Sequence, residues 1–275
     1  MSDPRLINLL RGWPSPAVLP ASLLSTASQR ILSNPTTSTP ALQYGPDRGH
    51  QPLRDSLSSW LSQHYGVKPD AERICVTGGA SQSLACILQS FTDPSCTRAV
   101  WIVEPCYHLA CGIFEDAGFA GRLRAPLKAP GSTRRIYRHV IYCVTTWSNP
   151  SGITMSLRRR ESLVRLARRY DALLISDDVY DFLQWPLDDS SPPPPTLPRL
   201  CDIDLAMGPE ANDPHSFGHA ISNGSFSKIA GPGMRTGWVE GSRAFIAGLG
   251  DTASTLSGGA PSPVFGGDMG SCWRP

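Results

Sequence analysis

Hydrophobic and polar positions predict strands and helices that alternate along most of the chain. Continuous short apolar runs, typical of strands buried on both faces, fall at residues 73–77, 99–104, 140–145, 173–176 and 220–222. Apolar positions spaced as on one face of a helix fall at residues 51–65, 81–91, 109–117 and 157–170. This alternation predicts an α/β fold, a three-layer α/β/α sandwich around a mostly parallel sheet.

The two ends of the chain differ from this alternating region. Residues 1–38 are rich in Pro, Ser and Leu and predict an irregular N-terminal arm with one short helix. Residues 39–250 carry the alternation and form the predicted main domain. Residues 251–275 are rich in Gly, Ser and Pro and lack periodicity, which predicts a disordered C-terminal stub of a truncated small domain.

Composition excludes several classes of function. The 275 residues include 25 basic and 23 acidic ones, a net charge of +2, so charge indicates no nucleic-acid or membrane partner. The N-terminus lacks a signal-peptide pattern, and no apolar run approaches membrane-spanning length. The eight cysteines include no C-x-x-C pair, which favours reduced thiols over disulfides or a zinc site. We therefore expect a cytoplasmic protein without a metal centre.

Residues 225–238 carry the strongest chemical signal. Lys228 follows two hydroxyl residues, Ser225 and Ser227, at the end of a predicted strand, and Arg235 comes seven positions later after a Gly-Pro turn. A lysine amine can condense with a carbonyl group, while hydroxyl and guanidinium groups together can bind a phosphate. A lone S-x-S-K would favour a solvated surface lysine, but the Arg235 spacing and the flanking glycines make this segment specific.

Further motifs lie at the ends of other predicted strands and before the first helix. They are Tyr44-Gly45-Pro46, Gly78-Gly79-Ala80-Ser81, Tyr107, Asn149-Pro150-Ser151-Gly152 and Asp177-Asp178-Val179-Tyr180. Taken alone, each is also typical of an ordinary turn or a core aromatic residue. The Gly78 motif opens a predicted helix, whose first N–H groups and positive end favour a bound phosphate.

In this order, the motifs resemble those of the fold-type I enzymes that use pyridoxal 5'-phosphate (PLP), specifically the class I/II aminotransferases. Within these the chain is most similar to the 2-aminoadipate aminotransferase-like group and to the aminotransferase domain of MocR regulators. The resemblance spans about residues 7–259. It implies the large domain of a PLP-dependent transferase as the fold and PLP as the cofactor.

The resemblance also implies a role for each residue around the reacting end of the cofactor. Lys228 would hold PLP as a Schiff base and then move the α-proton of the substrate. Asp177 would pair with the pyridinium nitrogen and keep the ring an electron sink. Tyr180 and Asn149 would hydrogen-bond the phenolic oxygen, and Tyr107 would stack on the ring.

The phosphate of the cofactor would be bound by a second set of residues, Gly79, Ala80, Ser81, Ser225, Ser227 and Arg235. In the family, a tyrosine at the position of Tyr44 reaches the phosphate of the neighbouring subunit, which implies a homodimer with shared sites. Asp178 is the rival for the carboxylate role, and the D-x-x-Y spacing favours Asp177.

The implied reaction is amino transfer between an α-amino acid and a 2-oxo acid. A PLP lyase or decarboxylase could use the same pocket, because substrate orientation chooses the bond that breaks. A MocR-type regulator domain is disfavoured, because the chain begins at the arm without a DNA-binding segment. A catalytically dead remnant stays open, since no residue here matches the family's substrate-carboxylate arginine; we expect turnover to be impaired. The motifs do not identify the amino acid.

Overall fold

The computed structural model describes residues 14–120, 135–184, 195–211 and 213–259. These residues form a six-stranded sheet of β1 (Ile74–Thr77), β2 (Ala99–Ile102), β3 (His139–Cys143), β4 (Ala172–Asp177), β5 (Ala220–Ser225) and β6 (Gly237–Glu240). The strand order is β1-β6-β5-β4-β3-β2. Strands β2 to β5 pair in parallel, and β6 runs antiparallel to both of its neighbours, β1 and β5.

Helices cover both faces of the sheet. They are α1 (Ala21–Ser33), α2 (Pro35–Ala41), α3 (Gln51–Tyr65), α4 (Ala80–Phe91), α5 (His108–Phe114), α6 (Leu157–Tyr170), α7 (Leu200–Ala206) and α8 (Arg243–Gly250). Helices α4, α5 and α8 pack on one face, and α6 and α7 pack on the other. The predicted α/β/α sandwich is therefore confirmed. No helix in the described ranges is long and apolar enough to cross a bilayer.

Strand β4 illustrates why continuous apolar runs form the centre of this sheet. Leu173 and Ile175 face the α4, α5 and α8 layer, whereas Leu174 faces the α6 and α7 layer. All three side chains are buried, because successive residues of a strand point to opposite faces and both faces are covered. The run therefore lacks the polar alternation of a half-exposed strand.

Several elements were not predicted. Strand β6 and helices α7 and α8 are additions to the predicted list, and the antiparallel β6 makes the sheet mixed at one end. The N-terminal arm is more helical than expected, since α1 alone has 13 residues. At the other end, Thr255–Gly259 form one π-helical turn where no regular structure was predicted. The rest of the predicted stub, residues 260–275, lies outside the described residues.

The topology brings four strand ends to one edge of the sheet. Because β6 is antiparallel to both β1 and β5, β1 points in the same direction as the parallel strands β2 to β5. The segments that follow β1, β3, β4 and β5 therefore leave the sheet at its carboxyl edge, where ligands bind in open α/β sheets. Gly79, Asn149, Tyr180 and Lys228 all belong to these segments.

Candidate active site

Asp177 is the last residue of β4 and presents a half-paired carboxylate at this edge. Its side chain is 8% exposed. Tyr142, on the neighbouring strand β3, donates a hydrogen bond from its hydroxyl to Oδ2 at 2.6 Å. The other oxygen, Oδ1, is buried and has no hydrogen-bond donor among the residues that the structure describes. A buried polar atom normally has a partner, so Oδ1 is a candidate contact for a ligand.

The surroundings of Asp177 act on its pKa in opposite directions. Burial is the largest effect and, with the nearby Asp181 carboxyl, raises the pKa of Asp177 to about 6. The Tyr142 hydrogen bond and the positive charge of Lys228 favour the ionised form and act against that rise. Asp177 therefore changes charge near neutral pH, as expected for a carboxylate in a cleft that binds charged groups.

Lys228, Tyr180 and Asn149 lie together above Asp177 at the ends of three strands. The Lys228 amine lies 5.8 Å from the centre of the Tyr180 ring. The Asn149 side-chain amide donates to the Tyr180 hydroxyl at 3.3 Å. Burial raises the pKa of Tyr180, while the Asn149 hydrogen bond lowers it. The lysine is exposed to solvent at the end of a short 3-10 helix, Phe226–Lys228, which leaves its amine accessible to a ligand.

A second group of predicted residues surrounds the start of α4. Gly79 is the N-cap of this helix, with φ of 100°. A Cβ atom at that position would lie 3.0 Å from Nη2 of Arg235 and 3.8 Å from Oγ of Ser225. Glycine therefore meets two demands here, a left-handed backbone and a close approach by the guanidinium group.

Arg235 and the two serines are held in place by hydrogen bonds to neighbouring groups. Arg235 donates from Nη2 to the Gly78 carbonyl at 3.1 Å and from Nη1 to the Pro232 carbonyl at 3.0 Å. The Ser225 hydroxyl donates to the Ser227 hydroxyl at 2.9 Å. The first-turn N–H groups of α4, those of Ala80 and Ser81, lie beyond the reach of intrahelical acceptors. Guanidinium, hydroxyl and N–H donors at a helix start form a cradle for an anion.

The remaining predicted residues are placed differently. Tyr107, the half-buried N-cap of α5, lies near enough to Tyr180 to raise the pKa of its phenol. Tyr44 has a 90% exposed side chain. Asp178, the rival of Asp177, is buried and accepts hydrogen bonds at Oδ1 from Ser176 at 2.5 Å and from Thr145 at 3.2 Å. Its Oδ2 is buried and lacks a donor among the described residues, as Asp177 Oδ1 does. The Lys228 amine favours the ionised form of Asp177, whereas Arg199 favours that of Asp178, so the position of the lysine favours Asp177 as the carboxylate of the site.

Tyr142 is a residue of this site that the sequence did not reveal. It lies inside an apolar run that predicted a buried strand, and no motif includes it. The available signal was chemical, because a buried tyrosine hydroxyl requires a hydrogen-bond partner. The partner itself is 35 residues away along the chain and could not be named from the sequence.

Comparison with known proteins identifies the family of this chain. Residues 24–265 match the family model described as aminotransferase class I and II. The chain belongs to this family. Its cofactor is therefore PLP, as the resemblance implied.

Individual relatives agree with this assignment. An uncharacterized Saccharomyces cerevisiae protein, YER152C, is 32% identical over 307 residues, covering 94% of this chain and 69% of that protein. Aromatic-amino-acid aminotransferase 1 of Thermococcus litoralis is 28% identical, covering 88% of this chain and 55% of that protein. Pyrococcus horikoshii kynurenine aminotransferase superposes with a TM-score of 0.69 at 26% identity, covering 94% of this chain and 61% of the other. The chain thus spans 55 to 69% of the length of these relatives.

The residues at the sheet edge fit PLP at both of its ends. A protonated ring nitrogen would satisfy Asp177 Oδ1, a buried acceptor that has no donor in the described part of the chain. The phosphate would meet the donors around Gly79, where any larger side chain would crowd Arg235. The Lys228 amine lies at the same edge, close enough to Asp177 for its positive charge to favour the ionised carboxylate.

Proposed function

We propose that this chain is a PLP-dependent aminotransferase that moves an amino group between an α-amino acid and a 2-oxo acid. The observation that carries the proposal is the buried and unpaired Oδ1 of Asp177, at the same sheet edge as the Lys228 amine. When bound, PLP supplies an electron sink for the electrons of a bond broken at the α-carbon. The protein has to bind and orient the cofactor and the substrate, and it has to move a proton.

Lys228 has two tasks in this proposal. Its amine would hold the cofactor through a covalent link and, once an amino acid displaces it, would carry the α-proton. Its accessible amine, 5.8 Å from the Tyr180 ring centre, supports both tasks. Tyr180 and Asn149 would orient the phenolic oxygen, and their hydrogen bond at 3.3 Å keeps both groups at the same point.

The remaining predicted residues would anchor the cofactor. Asp177 would receive the ring nitrogen, and Tyr107 would cover one face of the ring. Arg235 would bind the phosphate with two further groups, the hydroxyls of Ser225 and Ser227 and the N–H groups of Gly79, Ala80 and Ser81. A charged guanidinium and a helix start both favour a dianionic group, which supports this assignment.

We propose aromatic amino acids as the first donors to test. The support comes from relatives alone, since one is named for aromatic amino acids and a superposed structure is named for kynurenine. The described residues include no group that we assign to the substrate side chain.

We also propose a homodimer in which Tyr44 of one subunit reaches the phosphate of the other. Its 90% exposed phenol supports this, together with the exposed apolar side chains of Val18, Leu23 and Leu42 on the same N-terminal segment. Light scattering of the purified chain should give twice the chain mass, and a monomer would contradict this part of the proposal.

The test is amino transfer itself. The purified chain is incubated with PLP, an isotopically labelled aromatic amino acid and a 2-oxo acid, and the labelled product amino acid is measured by mass spectrometry. We expect weak transfer by the wild-type chain and the same rate in Lys68→Ala, whose lysine is exposed on a loop, and loss of transfer in Lys228→Ala. Bound PLP without transfer would reject the enzyme and favour a regulatory domain or a dead remnant.

A further inference from the structure

Tyr142 lies directly beside the carboxylate of the site, although it belongs to no motif. It is on β3 in register with Ile175 of β4, so Asp177 is the next residue on the same face of the neighbouring strand. Its side chain is 2% exposed, and its hydroxyl lies 2.6 Å from Asp177 Oδ2. This register places the phenol beside the carboxylate rather than in the open cleft.

The Tyr142 ring has little freedom to move. It belongs to the core cluster between the sheet and helices α4, α5 and α8. The Phe114 ring of α5 packs edge-on against it, with ring centres 5.7 Å apart and planes at 73°. A rigid donor fixes one oxygen of a carboxylate, and the direction of the second oxygen then follows.

In the hydrogen bond between Tyr142 and Asp177, the phenol is the donor and the carboxylate is the acceptor. Burial and the nearby Asp177 carboxylate both raise the pKa of Tyr142 far above its ordinary value, so the phenol keeps its proton and donates it to the ionised carboxylate. Donation to Oδ2 favours the charged form of Asp177 and opposes the effect of burial. The phenol thus affects both the direction and the charge of the carboxylate.

Other ionisable groups also face Asp177 from the surrounding elements. They are Cys143 on β3, Tyr180 and Asp181 after β4, and Lys228 after β5. The Asp181 carboxyl raises the pKa of Asp177, and the Lys228 amine lowers it. Tyr142 is the hydrogen-bond donor to Asp177 within the described residues.

We propose that Tyr142 is a positioning residue, whose hydroxyl anchors Oδ2 of Asp177 and so aims Oδ1 at the ring nitrogen of the cofactor. This inference rests on the proposed function, because it assigns the free oxygen to PLP. Its test has one arm that needs the cofactor and another that does not.

The first arm follows the Asp177 carboxyl in the chain without cofactor. Aspartate is labelled with ¹³C at Cγ, its signal is assigned by its loss in Asp177→Asn, and its titration midpoint is measured by NMR. In Tyr142→Phe we expect the midpoint to move about one pH unit upward, because the hydrogen bond that favours the charged form is gone. An unchanged midpoint overturns the proposal.

The second arm measures PLP affinity between pH 5 and 8. We expect Tyr142→Phe to bind PLP about 10-fold more weakly near pH 7, the loss typical of one hydrogen bond to a charged group. The loss should be largest between the two Asp177 midpoints. A loss of the same size at every pH indicates damaged packing only and overturns the proposal.

Tyr137→Phe is the matched control. Tyr137 is also a buried tyrosine of the same core cluster, and its hydroxyl donates to the Gly218 carbonyl at 2.6 Å instead of to a carboxylate. It should leave the Asp177 midpoint and PLP affinity unchanged, and equal shifts in both variants overturn the proposal. An upward midpoint shift in Tyr142→Phe with no PLP binding by the wild-type chain would reject the proposed function while supporting the Tyr142–Asp177 contact.

Discussion

Two buried polar groups of this molecule differ in how completely their charges are paired. The Arg199 cluster, formed by Arg73, Arg199, Asp202 and Glu240, is closed. Arg199, with a 0% exposed side chain, donates to Asp202 at 2.8 and 3.0 Å and to Glu240 at 2.7 Å. Arg73 lies 3.4 Å from the second oxygen of Glu240. Each carboxylate of this cluster therefore faces positive charge.

Asp177 shows the opposite arrangement. Its carboxylate is equally buried, but one oxygen is bonded to Tyr142 and the other has no donor within the described ranges. A closed network in a low-dielectric interior makes a fold specific, whereas a half-paired one is costly unless a ligand completes it. Asp178 also has one buried oxygen without a donor among the described residues. The comparison teaches that buried charge marks the candidate site where it is left unpaired and lies beside the Lys228 amine.

The largest expected effect comes from opening the closed cluster. Arg199→Met should lower the free energy of unfolding by about 3–5 kcal/mol, because Asp202 and Glu240 would stay buried, lose their hydrogen-bonded cation and keep only Arg73, at 4.0 and 3.4 Å. Urea unfolding followed by circular dichroism measures this change. Arg158→Met, at an exposed position of α6, should cost less than about 0.5 kcal/mol. Equal losses in the two variants would mean that the cluster does not stabilise the fold.

The second prediction concerns the half-paired carboxylate. The pKa of Asp177 is raised from 3.8 to about 6 in the folded chain. Below pH 3.8 both states are protonated, and above pH 6 the folded state carries a charge penalty of about 3 kcal/mol. Asp177→Asn removes that penalty, so its stability relative to wild type should rise by up to about 3 kcal/mol between pH 4 and pH 7.

Urea unfolding at the two pH values measures this rise, with Asp47→Asn at an exposed position as the control. The same Asp177→Asn variant should bind PLP about 10 to 100-fold more weakly, since it loses a hydrogen bond between charged groups. Gain of stability with loss of binding is the signature of a site group. Loss of both stability and PLP binding would indicate that Asp177 stabilises the fold, as the carboxylates of the Arg199 cluster do.

A somewhat smaller effect is expected at the phosphate end. Arg235→Ala should weaken PLP binding by roughly 10-fold, because one charge-assisted contact to the phosphate is lost. Binding of pyridoxal, which lacks the phosphate, should change little and serves as the matched ligand control. Titrations by absorbance give both constants. Equal weakening for the two ligands would indicate that Arg235 acts on the local backbone instead.

The smallest effect should come from an exposed ion pair. Arg165 and Glu161 lie 3.2 Å apart on the solvent face of α6, with side chains 61% and 38% exposed. Glu161→Gln should change the free energy of unfolding by less than about 0.5 kcal/mol, since water and salt screen such pairs. A change as large as that of Arg199→Met would remove the distinction between buried and exposed pairs.

Much of the fold could be predicted from local pattern. The apolar run of β4 and the amphipathic α3 were predicted because their burial is encoded by their own residues. Strand β6 was missed because Gly237–Glu240 is short and ends in a carboxylate. Glu240 is tolerated there through Arg199, a partner 41 residues away, which no local pattern shows.

The residues of the candidate site also differ in whether the local sequence reveals them. Lys228, Asp177 and Asn149 were predicted because each lies in a motif of recognisable spacing, and the sheet places them at one edge. Tyr142 was not predicted, because its importance arises only when β3 and β4 pair. The cytoplasmic location and the separate arm and stub stay predictions.

The attachment of PLP to Lys228 is the central claim, and borohydride reduction with peptide mapping tests it most directly. The chain has three lysines, Lys68, Lys128 and Lys228, so the alternatives are few. The purified protein is incubated with PLP, reduced, digested and analysed by mass spectrometry. The account predicts a pyridoxyl group on Lys228 at one per chain, absent in Lys228→Ala. A folded chain with no adduct, or with the adduct spread over Lys68 and Lys128, would contradict it.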